Sequence, residues 1–198
     1  MFMQEDLATG APAHTPICDS DPHAASVQSQ DAASDRLTLA NGRSLHVRPV
    51  GPRDAGAEQA FVAGLSPVAR FRRFHFGLNE LPDALLRAFV NADQQGHIAL
   101  VAEAVDDHRI VADARYVLDS GARAAEFAIA VSDAWQGLGL GRQLMHRLLA
   151  RARRSGIEQL CGDVLADNAP MLALMKRLGA RLMPAPEDNS LYRVCLAL

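Results

Sequence analysis

The chain has 198 residues, of which 49% are hydrophobic and 22% charged, and its formal net charge is -3. These values exclude a wholly disordered chain, a collagen-like repeat and a coiled coil, and the length suits one domain with an added tail. No apolar run approaches the ~18 residues of a membrane-spanning helix, and the charge gives no reason to expect a nucleic-acid or membrane partner.

The charge is unevenly spread. Residues 1–35 hold Glu5, Asp6, Asp19, Asp21, Asp31 and Asp35, with no Lys or Arg. Ala, Ser, Asp, Gln, Pro and His dominate there without apolar periodicity. The stretch is expected to be a disordered acidic leader, since it cannot bury enough surface to offset its ordering entropy. It also lacks the basic start and apolar run of a secretory signal. Residues 36–198 are expected to form one domain, with 20 basic and 17 acidic side chains. Cys18, Cys161 and Cys195 are odd in number and widely spaced, which reads as three free thiols in a reducing, cytoplasmic setting.

Residues 45–50 alternate Leu45, Val47 and Pro49 against His46 and Arg48, the pattern of a short strand. Asp54 reads as the N-cap of a helix reaching about Gly64. Ser66-Pro67 starts a second helix and Pro82-Asp83 a third. Strands are predicted over residues 98–105, 110–118 and 124–131, with Asp- and Gly-containing turns between them, as in an antiparallel meander. The period then changes. Leu140, Leu144 and Leu148 recur at helical spacing, with Arg142, Arg147, Arg151, Arg153 and Arg154 largely elsewhere around the wheel, and Gly156 ends the helix. A strand over 157–165 follows. A helix capped by Asn168 runs to Leu178, and a last strand spans 191–196. The strands on either side of the long helix are expected to be parallel, with a right-handed crossover. The fold class is therefore α/β in the α+β sense, a mixed and mostly antiparallel sheet flanked by helices.

The most informative stretch is Val131-Ser132-Asp133-Ala134-Trp135-Gln136-Gly137-Leu138-Gly139-Leu140-Gly141-Arg142. A strand enters a glycine-rich turn that opens directly into a helix. Glycines let the main chain approach a ligand, and the unpaired N–H groups of the helix start favour an anion such as a pyrophosphate. The spacing fits neither a dinucleotide fingerprint nor a P-loop, because Gly141 is followed by Arg142 and Gln143 rather than Lys and Ser or Thr.

This stretch resembles the acyl-CoA signature Q/R-x-x-G-x-G/A of the GCN5-related N-acetyltransferase (GNAT) superfamily, present here as Gln136-Gly137-Leu138-Gly139-Leu140-Gly141. The resemblance extends over roughly residues 45–196. Leu174 to Ala180 matches a later family stretch, with Ala180 in place of an aromatic residue. Leu65-Ser66-Pro67, Arg70-Phe71-Arg72-Arg73-Phe74, Ala125-Glu126-Phe127 and Asp167-Asn168-Ala169-Pro170-Met171 look like the bacterial protein-lysine acetyltransferases of the Pat type. The resemblance implies a GNAT-type sheet whose parallel strands splay apart to admit acetyl-CoA. The main chain of Ile129 and Val131 would pair with the pantetheine arm. The N–H groups of Leu138, Gly139, Leu140, Gly141 and Arg142 would hold the pyrophosphate, alongside Gln136 and Gly137. Asn168 would reach the pantetheine, or serve as an ordinary helix cap.

An amine acceptor with a pKa of about 10.4 is protonated at neutral pH, so a base near the thioester is useful. Glu126 is the candidate. By alternation it shares a face with Ala128 and Ala130, which leave room for a substrate, and it matches the family's catalytic Glu. The general acid that many relatives supply as Tyr is Met175 here. Tyr116 and Tyr192 are not placed for that role, and a thiolate can leave without it. The oxyanion would meet the N–H of Val131. Arg70, Arg72 and Arg73 interleave with Phe71, Phe74 and Phe76, read as an acceptor-side lid or core turn ahead of an RNA surface. His75 and His97 are isolated, so no metal is expected. The expected function is acetyl transfer from acetyl-CoA to a protein lysine. A small amine as acceptor, and a non-catalytic acyl-CoA sensor, are the alternatives.

Overall fold

A computed structural model of the chain describes residues 35–119, 123–185 and 188–198. Apart from Asp35, the expected acidic leader lies outside the described residues. Eight strands form one sheet in the order β1-β2-β3-β4-β5-β6-β8-β7: β1 (Asp35–Thr38), β2 (Ser44–Pro49), β3 (His97–Ala104), β4 (Ile110–Leu118), β5 (Ala124–Val131), β6 (Gln159–Leu165), β7 (Arg181–Pro184) and β8 (Leu191–Ala197). Every pairing is antiparallel except β5 with β6. The expected mixed, mostly antiparallel sheet is therefore present, with its parallel pair joined through a helix.

Among the described residues five helices cover the two faces: α1 (Ala55–Gly64), α2 (Pro67–Phe74), α3 (Asp83–Val90), α4 (Leu140–Arg154) and α5 (Ala169–Arg177). One core packs Leu140, Leu144, Met145 and Leu148 of α4 and Met175 of α5 against Leu100, Ala114, Tyr116, Phe127 and Leu160 of the sheet. The opposite core packs Phe61, Val62, Phe89 and Val90 of α1 and α3 against Ala99, Val101, Ile110 and Ala130. Strand β3 is buried on both faces because helices cover both. No helix among the described residues is long and apolar enough to cross a membrane.

The structure corrects three expectations. β1 and β7 were not foreseen; each is a four-residue strand at an edge of the sheet, too short to show a period. Asp54 stands at the start of α1 but does not cap it with its side chain. Its two oxygens accept from Arg48 at 2.8 Å each, and Oδ2 also accepts from the N–H of Gly51 at 2.8 Å. Burial pushes this carboxyl up, yet the Arg48 and Gly51 bonds hold it below its usual range. Thirdly, Cys161 and Cys195 are not free thiols. They face each other across β6 and β8, with Cα atoms 4.2 Å apart, and form a disulfide. Their separation of 34 residues hid a contact that only strand register creates.

Candidate active site

The parallel ladder is short. Ala124, Ala125 and Glu126 of β5 pair with Gln159, Leu160 and Cys161 of β6, and beyond that point the two strands part. On its other edge β5 stays paired with β4 as far as Val131. The N–H of Ser132 donates to Val111, the residue opposite it, at 2.9 Å. Antiparallel pairing alternates, so the main-chain groups of Ile129 and Val131 turn away from β4 and into the gap toward β6. These are the two residues expected to pair with the pantetheine arm. The carbonyl of Val131 accepts from the side-chain amide of Gln136 at 2.9 Å, so Gln136 closes the turn on itself.

A 3-10 turn (Asp133–Trp135) follows β5, and then the glycine run. Gly137 and Gly139 have φ of 72° and 84°, in the left-handed region that L side chains rarely adopt. Gly141 has no such constraint; a Cβ there would lie 3.7 Å from Leu174 and 3.9 Å from Ile129. The first helical bond of α4 runs from the N–H of Gln143 to Gly139 at 3.1 Å. The N–H groups of Leu140, Gly141 and Arg142 therefore have no helical acceptor and carry the positive end of a 15-residue helix. The Leu140 side chain is buried in the core, leaving its main chain to face the turn.

The splay encloses a cavity of about 730 Å³. Ile129, Val131, Gln136, Gly137, Gly139, Leu140, Gly141, Arg142 and Asn168 line it, as does Glu126; Leu138 does not, and packs partly against the core. Asn168 Oδ1 accepts from the N–H of Met171 at 3.3 Å, so it caps α5 while bordering the cavity. The side chains of Glu126, Ala128 and Ala130 share the face of β5 toward α2, as alternation requires. Glu126 is exposed, and its carboxylate has no ion-pair or hydrogen-bond partner among the described residues. Met175 is fully buried, and neither tyrosine lines the cavity.

Helix α2 supplies the opposite wall through Val68, Ala69, Arg72 and Arg73. Its arginines are not all solvated. Arg73 is mostly buried, 3.7 Å from Asp113 and stacked on Phe74 and Phe89. Burial lowers its pKa despite the Asp113 charge. His75 ends α2 with φ 61° and borders the cavity. His97 is half-buried; burial and then Arg115 push its pKa down. Among the described residues no cluster of His, Cys, Asp or Glu could hold a metal ion.

Sequence reading missed two contributors. Asp163 of β6 borders the cavity and pairs with Arg193 of β8 at 3.1 Å. Gly162 lies against Phe127 where the strands part. Neither has a local signal, since both depend on cross-strand partners.

Residues 68–180 match the Acetyltransferase (GNAT) family. An acetyltransferase of Pseudomonas aeruginosa, PA5475, is 32% identical over 163 residues, covering 80% of this chain and 88% of that protein. Acetyltransferase Pat of Mycolicibacterium smegmatis is 33% identical over 145 residues, 73% of this chain but only 43% of that longer protein. Among solved structures, the GNAT domain of S. lividans PAT superimposes with a TM-score of 0.76 at 24% identity, covering 83% of this chain and 97% of that one. A cAMP-binding acyltransferase from Mycobacterium smegmatis gives 0.59 at 27% identity, covering 83% of this chain and 47% of that one. With the splayed parallel pair, the glycine turn and the helix start behind it, these matches assign the chain to the GNAT family, as an acetyl-CoA-dependent N-acetyltransferase.

Proposed function

We propose that the enzyme acetylates lysine side chains of proteins, with Glu126 as the base. The observation that carries this reading is the setting of Glu126. It borders the cavity and is also exposed, beside Val117 of β4, which is 49% exposed. A long lysine arm can reach such a carboxylate from a large molecule that stays outside. Val68 and Phe71 of α2, 57% and 47% exposed, offer that molecule apolar surface, and Val68 also lines the cavity. The resemblance of residues 65–74, 125–127 and 167–171 to Pat-type protein-lysine acetyltransferases implies the same acceptor, and a relative named acetyltransferase Pat is 33% identical.

In this reading acetyl-CoA lies along Ile129 and Val131, with its pyrophosphate at Gly137 to Arg142 and its arm near Asn168. Glu126 takes a proton from the ammonium, directly or through water, and the freed amine attacks the thioester carbonyl. The Val131 N–H, turned into the gap, holds the oxyanion. The attacking nitrogen sheds its extra proton as the C–S bond breaks, water passes that proton to the leaving CoA thiolate since Met175 has none to give, and Glu126 returns its own proton to solvent. A cytoplasmic setting belongs to this reading, although the Cys161–Cys195 disulfide weighs against it. A small amine is the second reading, because a cavity of about 730 Å³ would also enclose one.

Acetyl transfer to lysine-bearing proteins and to small amines tests these roles. Glu126→Gln should lower turnover by about 10²–10⁴-fold while acetyl-CoA affinity stays unchanged. Full turnover in the variant removes Glu126 as the base. Transfer to small amines alone replaces the lysine reading, and acetyl-CoA binding with no transfer to either would make the chain a sensor.

A further inference from the structure

The two strands that part each carry an aspartate two residues beyond their end: Asp133 after Val131, and Asp167 after Leu165. Helix α2 connects them. At its start the Ser66 N–H donates to Asp133 Oδ2 at 3.0 Å and the Ser66 hydroxyl donates to Oδ1 at 2.8 Å. The same hydroxyl accepts from the N–H of Ala69 at 3.2 Å, so it caps the helix. Near the other end Arg72 donates to the carbonyl of Asp167 at 3.2 Å, and its Nε stands 3.8 Å from the Asp167 carboxylate. We infer that α2 is a strap fastened to both lips of the cofactor cleft, and that Asp133 is a positioning residue carrying cofactor binding to the acceptor wall.

The two fastenings differ in strength. Asp133 accepts two bonds from one residue in a charge-assisted pair. Burial raises its carboxyl, but the Ser66 bonds hold it below the usual range and keep it ionised. Asp167 is 77% exposed and its ion pair is long, so water competes for it. The Asp133 end is thus the anchor, and the Arg72 end the one that yields. The anchor is itself supported. Arg43 stacks 4.4 Å over the Trp135 ring and donates to the Ala134 carbonyl at 3.2 Å. Asp133 to Gly139 is an unbroken stretch of 3-10 turn and glycine run leading into α4, so ordering by a bound pyrophosphate reaches Ser66 through Asp133. The wall carrying Val68 and Arg72 is then ordered further when the cofactor binds. A ligand that orders one end of such a link lowers the cost of ordering the other.

This inference rests on the glycine turn being the cofactor site, and hydrogen exchange on the full chain with and without CoA separates the two. Both residues 136–141 and the amides of α2 should slow on adding CoA, the latter by about fivefold or more. In Asp133→Ala the turn should still slow while α2 stays as in the free protein. Ser66→Ala, made from the other partner, should do the same, and Asp133→Asn, which keeps one accepting oxygen, should restore part of the response. A wild-type turn that slows while α2 does not overturns the strap alone. An Asp133→Ala protein whose turn no longer slows shows that Asp133 merely shapes the loop, and also overturns it. If nothing slows in the wild type, the cofactor site itself is misplaced, and the strap falls with it.

Discussion

Gly162 sits where β5 and β6 begin to part. A Cβ built there would stand 2.9 Å from the Phe127 ring and 3.0 Å from the Phe127 carbonyl oxygen. The ring is buried in the core and the carbonyl belongs to a paired strand, so neither can move cheaply. Gly162→Ala should therefore destabilise the protein by about 1–3 kcal/mol, the usual cost of overpacking. Thermal unfolding against Gly56→Ala checks it. Gly56 lies within α1 with nothing within 4 Å of its Cβ position, so that change should raise stability by roughly 0.5–1 kcal/mol. Equal melting temperatures for the two variants would refute the packing argument. The contrast also shows what a sequence can disclose about single residues. Gly137 and Gly139 stand out because three glycines crowd a helix entry, and their positive φ explains the choice. The face of Glu126 follows from alternation alone. The constraint on Gly162 comes from a ring 35 positions away, and no local pattern announces it.

Caps and period made the helices readable. Ser66-Pro67 and Asn168-Pro170 each place a capping side chain before a proline in the first turn, and both side chains accept the bond expected of them. The strands were readable where they alternate or form long apolar runs, and lost at the four-residue edges β1 and β7. Pairing between elements was the weakest inference, because register places residues side by side regardless of chain distance. Cys161 and Cys195 are the clearest case. Their opposition follows from the β6–β8 ladder, and it sets a disulfide next to Cys161's other neighbour, Glu126. Disulfides are rare in reducing compartments. Both cysteines are buried, so quenching intact cells in acid and alkylating the thiols under denaturing conditions tests the compartment. Labelled Cys161 and Cys195 are expected for a cytoplasmic enzyme, and both unlabelled until reduction would place it in an oxidising one.

At the scale of the molecule, the sheet separates an apolar core under α4 and α5 from a core under α1, α2 and α3 that contains charge. In the latter, Arg115 donates to Asp113 at 3.0 and 2.5 Å, stacks 3.6 Å from the centre of the Phe89 ring, and stands 3.5 Å from Glu58. Arg73 of α2 pairs with the same Asp113, so this cluster also seats the α2 wall of the cavity. Glu58 is completely buried and one of its oxygens has no partner among the described residues. Burial, then the Asp113 charge, push its pKa from 4.5 up to about 8, against the pull of Arg115 and Arg73. The folded protein thus keeps a proton that the unfolded chain gives up near pH 4.5. The stability this contributes is whole below that pH and is lost as pH rises to about 8. His97, held below its ordinary value of 6.5, works in the opposite sense at acid pH, because the unfolded chain binds a proton there that the folded one refuses. Asp113, Asp54, Arg73 and Arg115 also face Glu58, and a substitution confined to Glu58 leaves their charges in place. The comparison belongs above neutrality, where His97 is neutral in both states. From about pH 7 to 8 the wild type should lose stability on the order of 1 kcal/mol per pH unit relative to Glu58→Gln, which stays neutral throughout. Denaturant unfolding of both proteins at several pH values measures the difference. Parallel curves would mean that Glu58 is ionised in the fold, with Arg115 and Arg73 as its counter-charges.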